Sequence, residues 1–166
     1  MLLRPLLVVP HLGWLQLWGA IAVAAAVGNW FATLALGRAP EGLHVFLVGF
    51  LRYATHVAAY TLLLADPFPG FGGRRGFAVE LADVPRERQR RWTVLLRAAL
   101  ALPAVLGAAV ALLFSLLLAI VAWVAALALG RVPRALHAEF VWTLRFCVRT
   151  TAFALVLTDR YPRLSR

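Results

Sequence analysis

Two polar pairs interrupt otherwise apolar segments of the chain, and the members of each pair lie four residues apart. Arg52 precedes His56 in one segment, and Arg145 precedes Arg149 in the other. Residues four apart share one face of a helix, and a charged side chain within a membrane helix marks a functional site by default. Because the planar fork of arginine suits phosphate, these four residues are predicted to bind an anion or a lipid headgroup. The alternative is a structural role, in which the arginines bond helix-end carbonyls and lipid headgroups.

The composition sets the environment of these residues. Of the 166 residues, 63% are hydrophobic and 14% are charged, and the mean hydropathy is +0.82. A soluble domain is about 45–50% apolar and about 25% charged, and a disordered chain combines low hydrophobicity with many charges. A single soluble domain and a disordered chain are therefore both excluded, and an integral membrane protein is predicted.

Four long apolar runs can supply membrane-spanning helices, each of which needs about 20 apolar residues. The runs are Leu6–Leu36, Leu43–Ala65, Ala98–Leu129 and Leu136–Thr158. The first and third are too short for two crossings each, so each is interpreted as one tilted span with an interfacial segment before its proline, Pro10 or Pro103. The predicted fold class is all-α integral membrane, with four transmembrane helices.

An internal repeat organises the four runs. When residues 2–73 are aligned without gaps on residues 95–166, about 24 of 72 positions are identical, and the matches include Gly, Arg, Pro, His, Asp and Trp. Such a match indicates a tandem duplication. We therefore predict repeat one at residues 1–69, a cytoplasmic basic linker at 70–93 and repeat two at 94–166. An even number of spans per repeat predicts parallel repeats, related by a pseudo-two-fold axis along the membrane normal.

The charge is strongly basic, with 17 basic residues, all arginine, against 7 acidic ones and a net charge of +10. Most arginines fall at the termini and in the linker, whereas the two short loops carry only Arg38, Arg131 and Arg134. By the positive-inside rule, both termini and the linker are predicted to be cytoplasmic. The absence of lysine points to a GC-rich bacterial genome, so the predicted location is a bacterial inner membrane. Five arginines in and beside the linker are predicted to contact anionic lipid: Arg86, Arg88, Arg90, Arg91 and Arg97.

No combination of residues in the sequence matches a catalytic or cofactor site. Paired carboxylates, a cysteine cluster and a glycine-rich phosphate loop are all missing, so a non-enzymatic protein with no cofactor and no metal is predicted. The rival is a membrane enzyme with a metal ion between the repeat-matched His44 and His137. The predicted partners are membrane lipids, chiefly anionic ones, with a protein partner or a homo-oligomer left open. Nucleic acid is not predicted, because a basic balance in so apolar a chain favours lipid.

The short loop and the second helix of each repeat carry a motif pattern that resembles a known family. Repeat one shows Pro10-His11, Trp30-Phe31-Ala32, Gly37-Arg38-Ala39-Pro40-Glu41-Gly42-Leu43, Val48-Gly49-Phe50-Leu51-Arg52-Tyr53, Tyr60, Asp66 and Pro69. Repeat two ends in Thr158-Asp159-Arg160-Tyr161-Pro162. The pattern is similar to the bacterial Domain of Unknown Function 4389 family, in two tandem copies. That resemblance implies a membrane protein without an established activity and a second helix with two arginines four apart, of which His56 replaces the second in repeat one.

Two functions are compatible with these features. The first is an accessory or anionic-lipid-associated module of the inner membrane. The second is a small-anion or lipid-headgroup transporter that uses Arg52, Arg145 and Arg149 at the interface between the repeats.

Overall fold

The structure, a computed structural model, describes residues 3–72, 76–77, 79, 81 and 84–162. Within that range it is all-helical, and the helices are α1 (Arg4–Leu36), α2 (Glu41–Thr61), α3 (Arg91–Leu129) and α4 (Arg134–Ala154). Each helix coincides with one of the four apolar runs. The last four residues of the second and fourth runs fall in the turn that follows the helix, and α3 begins seven residues before its run. The all-α prediction is confirmed.

The same turn closes both helical hairpins. The residue after α1 is Gly37, with φ of 72°, and the residue after α3 is Gly130, with φ of 68°. Glycine adopts this left-handed conformation without a steric penalty and so commonly ends helices. Pro40 and Pro133 then stand immediately before α2 and α4. Proline lacks a backbone N–H and its ring clashes with the preceding turn, so neither residue can continue the preceding helix. Each of the two short loops is therefore a tight turn.

Two of the helices can cross a membrane by length and composition. They are α1 and α3, through their segments Leu6–Leu36 and Ala99–Ala128, and only 17% of the most apolar stretch of each is buried. The other two described helices, α2 and α4, have 21 residues each, but they carry arginine and histidine in their interiors and are not among the helices apolar enough to span a membrane. Two of the four predicted spans are therefore supported.

Both long helices continue through their prolines. Pro10 lies inside α1 and Pro103 inside α3, so no break separates the predicted interfacial segment from the span. At about 1.5 Å per residue, the 33 residues of α1 and the 39 residues of α3 reach about 50 and 59 Å. Each helix is thus much longer than an apolar membrane core of about 30 Å.

The two hairpins pack side by side in opposite directions. Trp30, near the end of α1, donates a hydrogen bond from Nε1 to the carbonyl of Val94, near the start of α3 (2.6 Å). Leu62, just after α2, packs with Phe140 near the start of α4 and with Ala122 in the last third of α3. The pseudo-two-fold axis therefore runs across the helices, and the prediction of parallel repeats about an axis along the membrane normal is wrong.

The linker explains this reversal, because it runs back along α2 before α3 begins. Phe77 stacks on His56 with ring centroids 4.4 Å apart, and the carbonyl of Val84 lies 2.9 Å from Nε2 of His44. Residues 62–90 separate α2 from α3, whereas an extended chain needs about ten residues to cover the ~31 Å length of α2. The prediction of parallel repeats required a linker that stays at one end, and this linker is long enough to reach the other.

The two ends of the described chain consequently lie at opposite ends of the bundle. Arg4 bonds the carbonyl of Ala65, which follows α2. Asp159, which follows α4, bonds Arg97 near the start of α3. The charge pattern predicts both termini on one side, whereas the first and last described residues are separated by the length of the bundle.

A small core lies between α2 and α4. Leu47 and Leu51 of α2 are at most 2% exposed and pack with Ala152 of α4 and with Leu155, which follows it. These contacts place the first half of α2 beside the end of α4. They hold the two hairpins together in the antiparallel arrangement.

Candidate functional site

Each repeat is closed by an ion pair between the first turns of its long helix and the segment that follows its short helix. In repeat one, Arg4 Nη2 donates to Asp66 Oδ1 (3.0 Å) and to the carbonyl of Ala65 (2.6 Å). The guanidinium carbon also lies 4.5 Å from the centroid of the Tyr60 ring, whose π-face attracts the cation. We name this set of contacts the first clasp.

Repeat two builds a second clasp from the matching positions. Arg97 Nη2 donates to Asp159 Oδ1 (2.9 Å), and Nη1 donates to the carbonyls of Thr158 (2.9 Å) and Phe153 (3.3 Å). The guanidinium carbon lies 4.8 Å from the centroid of the Phe153 ring. Burial lowers the pKa of the Arg97 guanidinium, and the charge and hydrogen bond of Asp159 act in the opposite direction.

A left-handed residue precedes the carboxylate of each clasp by three positions. Among the described residues, the only non-glycine residues with positive φ are Leu63 (59°) and Val156 (61°), which occupy matching positions. Positive φ is a genuine outlier for a β-branched residue, so its neighbours must hold Val156 in place. Gln89 Nε2 donates to the carbonyl of Val156 (2.9 Å), and Asn29 Nδ2 lies 3.4 Å from the same oxygen.

The clasps are functional-site candidates, and of their four charged residues only Arg97 is among the predicted site residues. Arg4 and Arg97 match in the repeat alignment, and so do Asp66 and Asp159. The recurrence of both residue types at matching positions is the sequence signal from which the two ion pairs could have been predicted. Arg97, which is predicted to contact anionic lipid, has a buried side chain that is bonded to Asp159.

The four residues predicted to bind an anion have different surroundings. His56 is 1% exposed, and its ring stacks on Phe77 of the linker. Arg52 is half-buried on α2, whereas Arg145 and Arg149 are exposed on α4. In the part of the chain that the structure describes, none of these three arginines forms an ion pair. Anion binding by the four residues stays a prediction.

The two histidines of the metal hypothesis lie far apart. His44 and His137 stand near the starts of α2 and α4, which are antiparallel, so the two residues lie at opposite ends of the bundle. His44 bonds the carbonyl of Val84, and His137 is exposed. A metal ion between them is therefore ruled out by distance. No group of three or more His, Cys, Asp or Glu gathers as a metal site in the described ranges.

Arginines gather at the end of the bundle where α1 ends and α3 begins. The Gln89 N–H donates to the carbonyl of Gly37 (2.9 Å), and Arg91 Nη2 donates to the carbonyl of Ala35 (3.2 Å). Gln89 also bonds Val156, so the end of α4 lies here too. We name the exposed arginines of this region the basic end: Arg38, Arg86, Arg88, Arg90, Arg91 and Arg160.

The basic end changes the expected distribution of charge. Arg38, which the topology prediction places opposite the linker, lies at the same end as the linker's last residues. Arg86 lies 3.7 Å from Glu41, which neutralises part of the charge. The four linker arginines that are predicted to contact anionic lipid are all exposed here.

The fold and the paired clasps define a class of protein: an all-helical chain with two candidate membrane spans, built from two copies of one helical hairpin. The model of the family described as domain of unknown function (DUF4389) matches the chain twice, over residues 1–72 and 91–164. The chain belongs to this family, and the predicted resemblance is confirmed. No curated protein and no solved structure matches the chain.

Proposed function

We propose that the protein is a non-enzymatic accessory module of a bacterial inner membrane, anchored by α1 and α3, with its basic end against anionic headgroups on the cytoplasmic side. The observation that carries the proposal is the gathering of six exposed arginines at one end of two exposed apolar helices. The lack of a catalytic constellation in the sequence supports the non-enzymatic part.

Lipid contact by α1 and α3 is supported by the side chains that they expose. Ile21 and Val27 of α1 are 61% and 52% exposed, and Leu106 and Leu113 of α3 are 65% and 62% exposed. Such large exposed apolar surfaces mark interaction or membrane sites. A lipid environment accommodates them without a protein partner.

We assign α2, α4 and the linker to the protein-covered side of this anchor. Non-helical backbone at membrane depth is tolerated only where protein or water covers it. Leu81 and Val84 of the linker pack on the core around Leu47 and Leu51, which supplies such cover. In this arrangement α2 and α4 need not be independent membrane spans.

The basic end supports both the orientation and the lipid preference. Arginine near the membrane favours the cytoplasmic side, and each basic residue close to an anionic surface contributes about 1 kcal/mol of attraction. Four acidic residues lie within three positions of these six arginines in the sequence: Glu41, Asp83, Glu87 and Asp159. Asp159 is already paired with Arg97, so the region keeps an excess of positive charge. The C-terminal end of the described chain is then cytoplasmic and Arg4 lies on the opposite side.

The lipids that the protein retains test this proposal. The full chain is extracted from bacterial membranes with a styrene–maleic acid copolymer, and the ratio of phosphatidylglycerol to phosphatidylethanolamine is compared with that of the bulk membrane. We expect enrichment of the anionic lipid that disappears when Arg88, Arg90 and Arg91 are all changed to Gln. The matched control changes Arg131 and Arg134, at the opposite end, and should keep the enrichment. The same lipid ratio around the wild type and the triple variant would refute the proposal.

The exposed pair on α4 favours one alternative, a small-anion or lipid-headgroup transporter. Arg145 and Arg149 are one turn apart on the helix and exposed, and Arg52 occupies the position in α2 that matches Arg145. Exposed guanidinium groups one turn apart suit a phosphate or carboxylate. Flux of radiolabelled phosphate or labelled lipid into proteoliposomes tests this alternative. Transport that falls to the empty-vesicle rate in the variant Arg52→Ala with Arg145→Ala would support it, and no transport by the wild type would remove it.

A further inference from the structure

A cavity of about 390 Å³ opens between the start of α1, the end of α2 and the second half of α3. Its walls are mainly apolar, with Val8, Leu63, Leu116 and Ile120 among them. Leu116 and Ile120 are 39% and 62% exposed, so the cavity is open towards the outer surface of α3. Its size falls within the range of small-molecule sites, about 300–1,000 Å³.

Arg4 is the one charged residue among the described residues that line this cavity. The residue is 8% exposed, and its Nη2 is engaged by Ala65 and Asp66, but its Nη1 is buried and has no hydrogen-bond partner. Thr61, a second polar residue in the wall, already donates its hydroxyl to the carbonyl of Val57 (2.8 Å). Leaving a buried donor of a charged group without a hydrogen-bond partner is energetically unfavourable. An oxygen acceptor bound to Arg4 Nη1 would remove this cost.

The Nη1 atom of the matching residue in repeat two is not unpaired. Arg97 Nη1 donates to the carbonyls of Phe153 and Thr158, and only its Nε is left unpaired. The carboxylates differ as well, because the side chain of Asp159 is 27% exposed and that of Asp66 is 91% exposed. Arg4 therefore has both an unpaired Nη1 and a counter-ion that is largely solvated.

We propose that the cavity binds an amphiphile, with an anionic oxygen of its headgroup on Arg4 Nη1 and an alkyl chain along Leu116 and Ile120. A charge-assisted hydrogen bond from arginine suits both a carboxylate and a phosphate, so a fatty acid and a phospholipid share the required chemistry. The inference rests on the membrane placement of α1 and α3 proposed above, which gives a membrane amphiphile access to the cavity. It does not depend on lipid selection by the basic end.

Quenching of Trp123, which lines the cavity, measures binding. The full-length protein in a neutral detergent is titrated with a brominated fatty acid and with brominated phosphatidylglycerol, and the signal of Trp123 is the difference from the variant Trp123→Phe. The uncharged counterparts are the methyl ester of the same acid and brominated diacylglycerol. We expect saturable quenching by at least one anionic probe, with its uncharged counterpart about tenfold weaker. The anionic probe that quenches identifies the headgroup class.

Two variants separate the headgroup contact from the cavity. Arg4→Gln should weaken binding of the anionic probe about tenfold, to the level of its uncharged counterpart. Ala119→Phe, which fills the cavity and keeps Arg4, should abolish the quenching, whereas Val121→Phe on the exposed face of α3 should not. If Arg4→Gln does not fold, the quenching measured with Ala119→Phe decides whether the probe binds in this cavity.

Equal binding of anionic and uncharged probes, or wild-type quenching in Ala119→Phe, overturns the proposal. The triple glutamine variant of Arg88, Arg90 and Arg91 should quench like the wild type. A failure of lipid enrichment at the basic end and a failure of this site are therefore distinguishable.

Discussion

Arg97 Nη2 lies 2.9 Å from Asp159 Oδ1, and the matching atoms of Arg4 and Asp66 lie 3.0 Å apart. The two pairs differ in solvent exposure, since the Asp159 side chain is 27% exposed and the Asp66 side chain is 91% exposed. Exposed ion pairs contribute about 0–1 kcal/mol, whereas removing one partner of a buried pair costs about 3–5 kcal/mol. The same duplicated contact should therefore matter more for stability in repeat two than in repeat one.

Matched substitutions in the two clasps test this difference. Asp159→Asn leaves the buried guanidinium of Arg97 without its counter-ion, and we expect the free energy of unfolding to fall by about 2 kcal/mol. Asp66→Asn removes a solvated carboxylate and should cost less than about 1 kcal/mol. Thermal unfolding of both variants in the same detergent, followed by circular dichroism, gives the comparison. Equal losses of stability would contradict the assignment of the second clasp as the buried one.

The helices and their turns follow directly from the sequence, but their arrangement does not. Gly37 and Pro40, repeated as Gly130 and Pro133, are sufficient to predict a tight turn in each repeat, because each residue type acts on its own backbone. The direction of one repeat relative to the other depends on where the linker goes. That path is set by contacts such as His56 with Phe77, between residues that no local pattern connects.

In the candidate site, too, local features can be predicted from the sequence and long-range contacts cannot. Charge and helical spacing are local properties, and they direct attention to Arg52, Arg145 and Arg149. Burial of a cation is not a local property: Arg97 has the sequence surroundings of a lipid-facing residue, yet it is 1% exposed because the segment after α4 folds over it. Only the recurrence of both Arg and Asp at matching repeat positions carried information about that contact.

Cross-linking between α1 and α3 tests the antiparallel arrangement of the repeats. Ala35 and Arg91 are both exposed, and Arg91 bonds the carbonyl of Ala35. In a Cys147→Ala background, Ala35→Cys with Arg91→Cys should react with a short bis-maleimide to give an internally linked chain. Mass spectrometry of the linked peptides detects the product.

The control pair for that experiment is Ala35→Cys with Ala128→Cys. Parallel repeats would place these matching positions side by side. In the antiparallel bundle, Ala128 lies near the far end of the ~59 Å helix α3, so no internal link should form. If the control pair became linked and the first pair did not, the repeats would be parallel and not antiparallel.

Alanine substitutions at two glycines distinguish the effect of backbone strain from the effect of a steric clash. An added Cβ would have no atom within 4 Å at either Gly37 or Gly28, but only Gly37 has a positive φ (+72°). We expect Gly37→Ala to destabilise the protein by about 1 kcal/mol, because alanine is strained in the left-handed region. Gly28→Ala lies inside α1 and should stabilise it by about 0.5–1 kcal/mol. Unfolding temperatures that shift in the same direction would show that the α1–α2 turn does not have this conformation.

Single cysteines on either end of the bundle test the sidedness of the membrane anchor. Arg38 and Arg88 belong to the basic end, whereas Arg131 lies in the α3–α4 turn at the opposite end. In a Cys147→Ala background, Arg38→Cys and Arg88→Cys should be protected from a membrane-impermeant maleimide in intact cells and labelled in inverted vesicles, because positive charge favours the cytoplasmic side. Arg131→Cys should show the reverse pattern. If Arg38→Cys labels together with Arg131→Cys and apart from Arg88→Cys, the linker does not cross the bundle and the repeats are parallel.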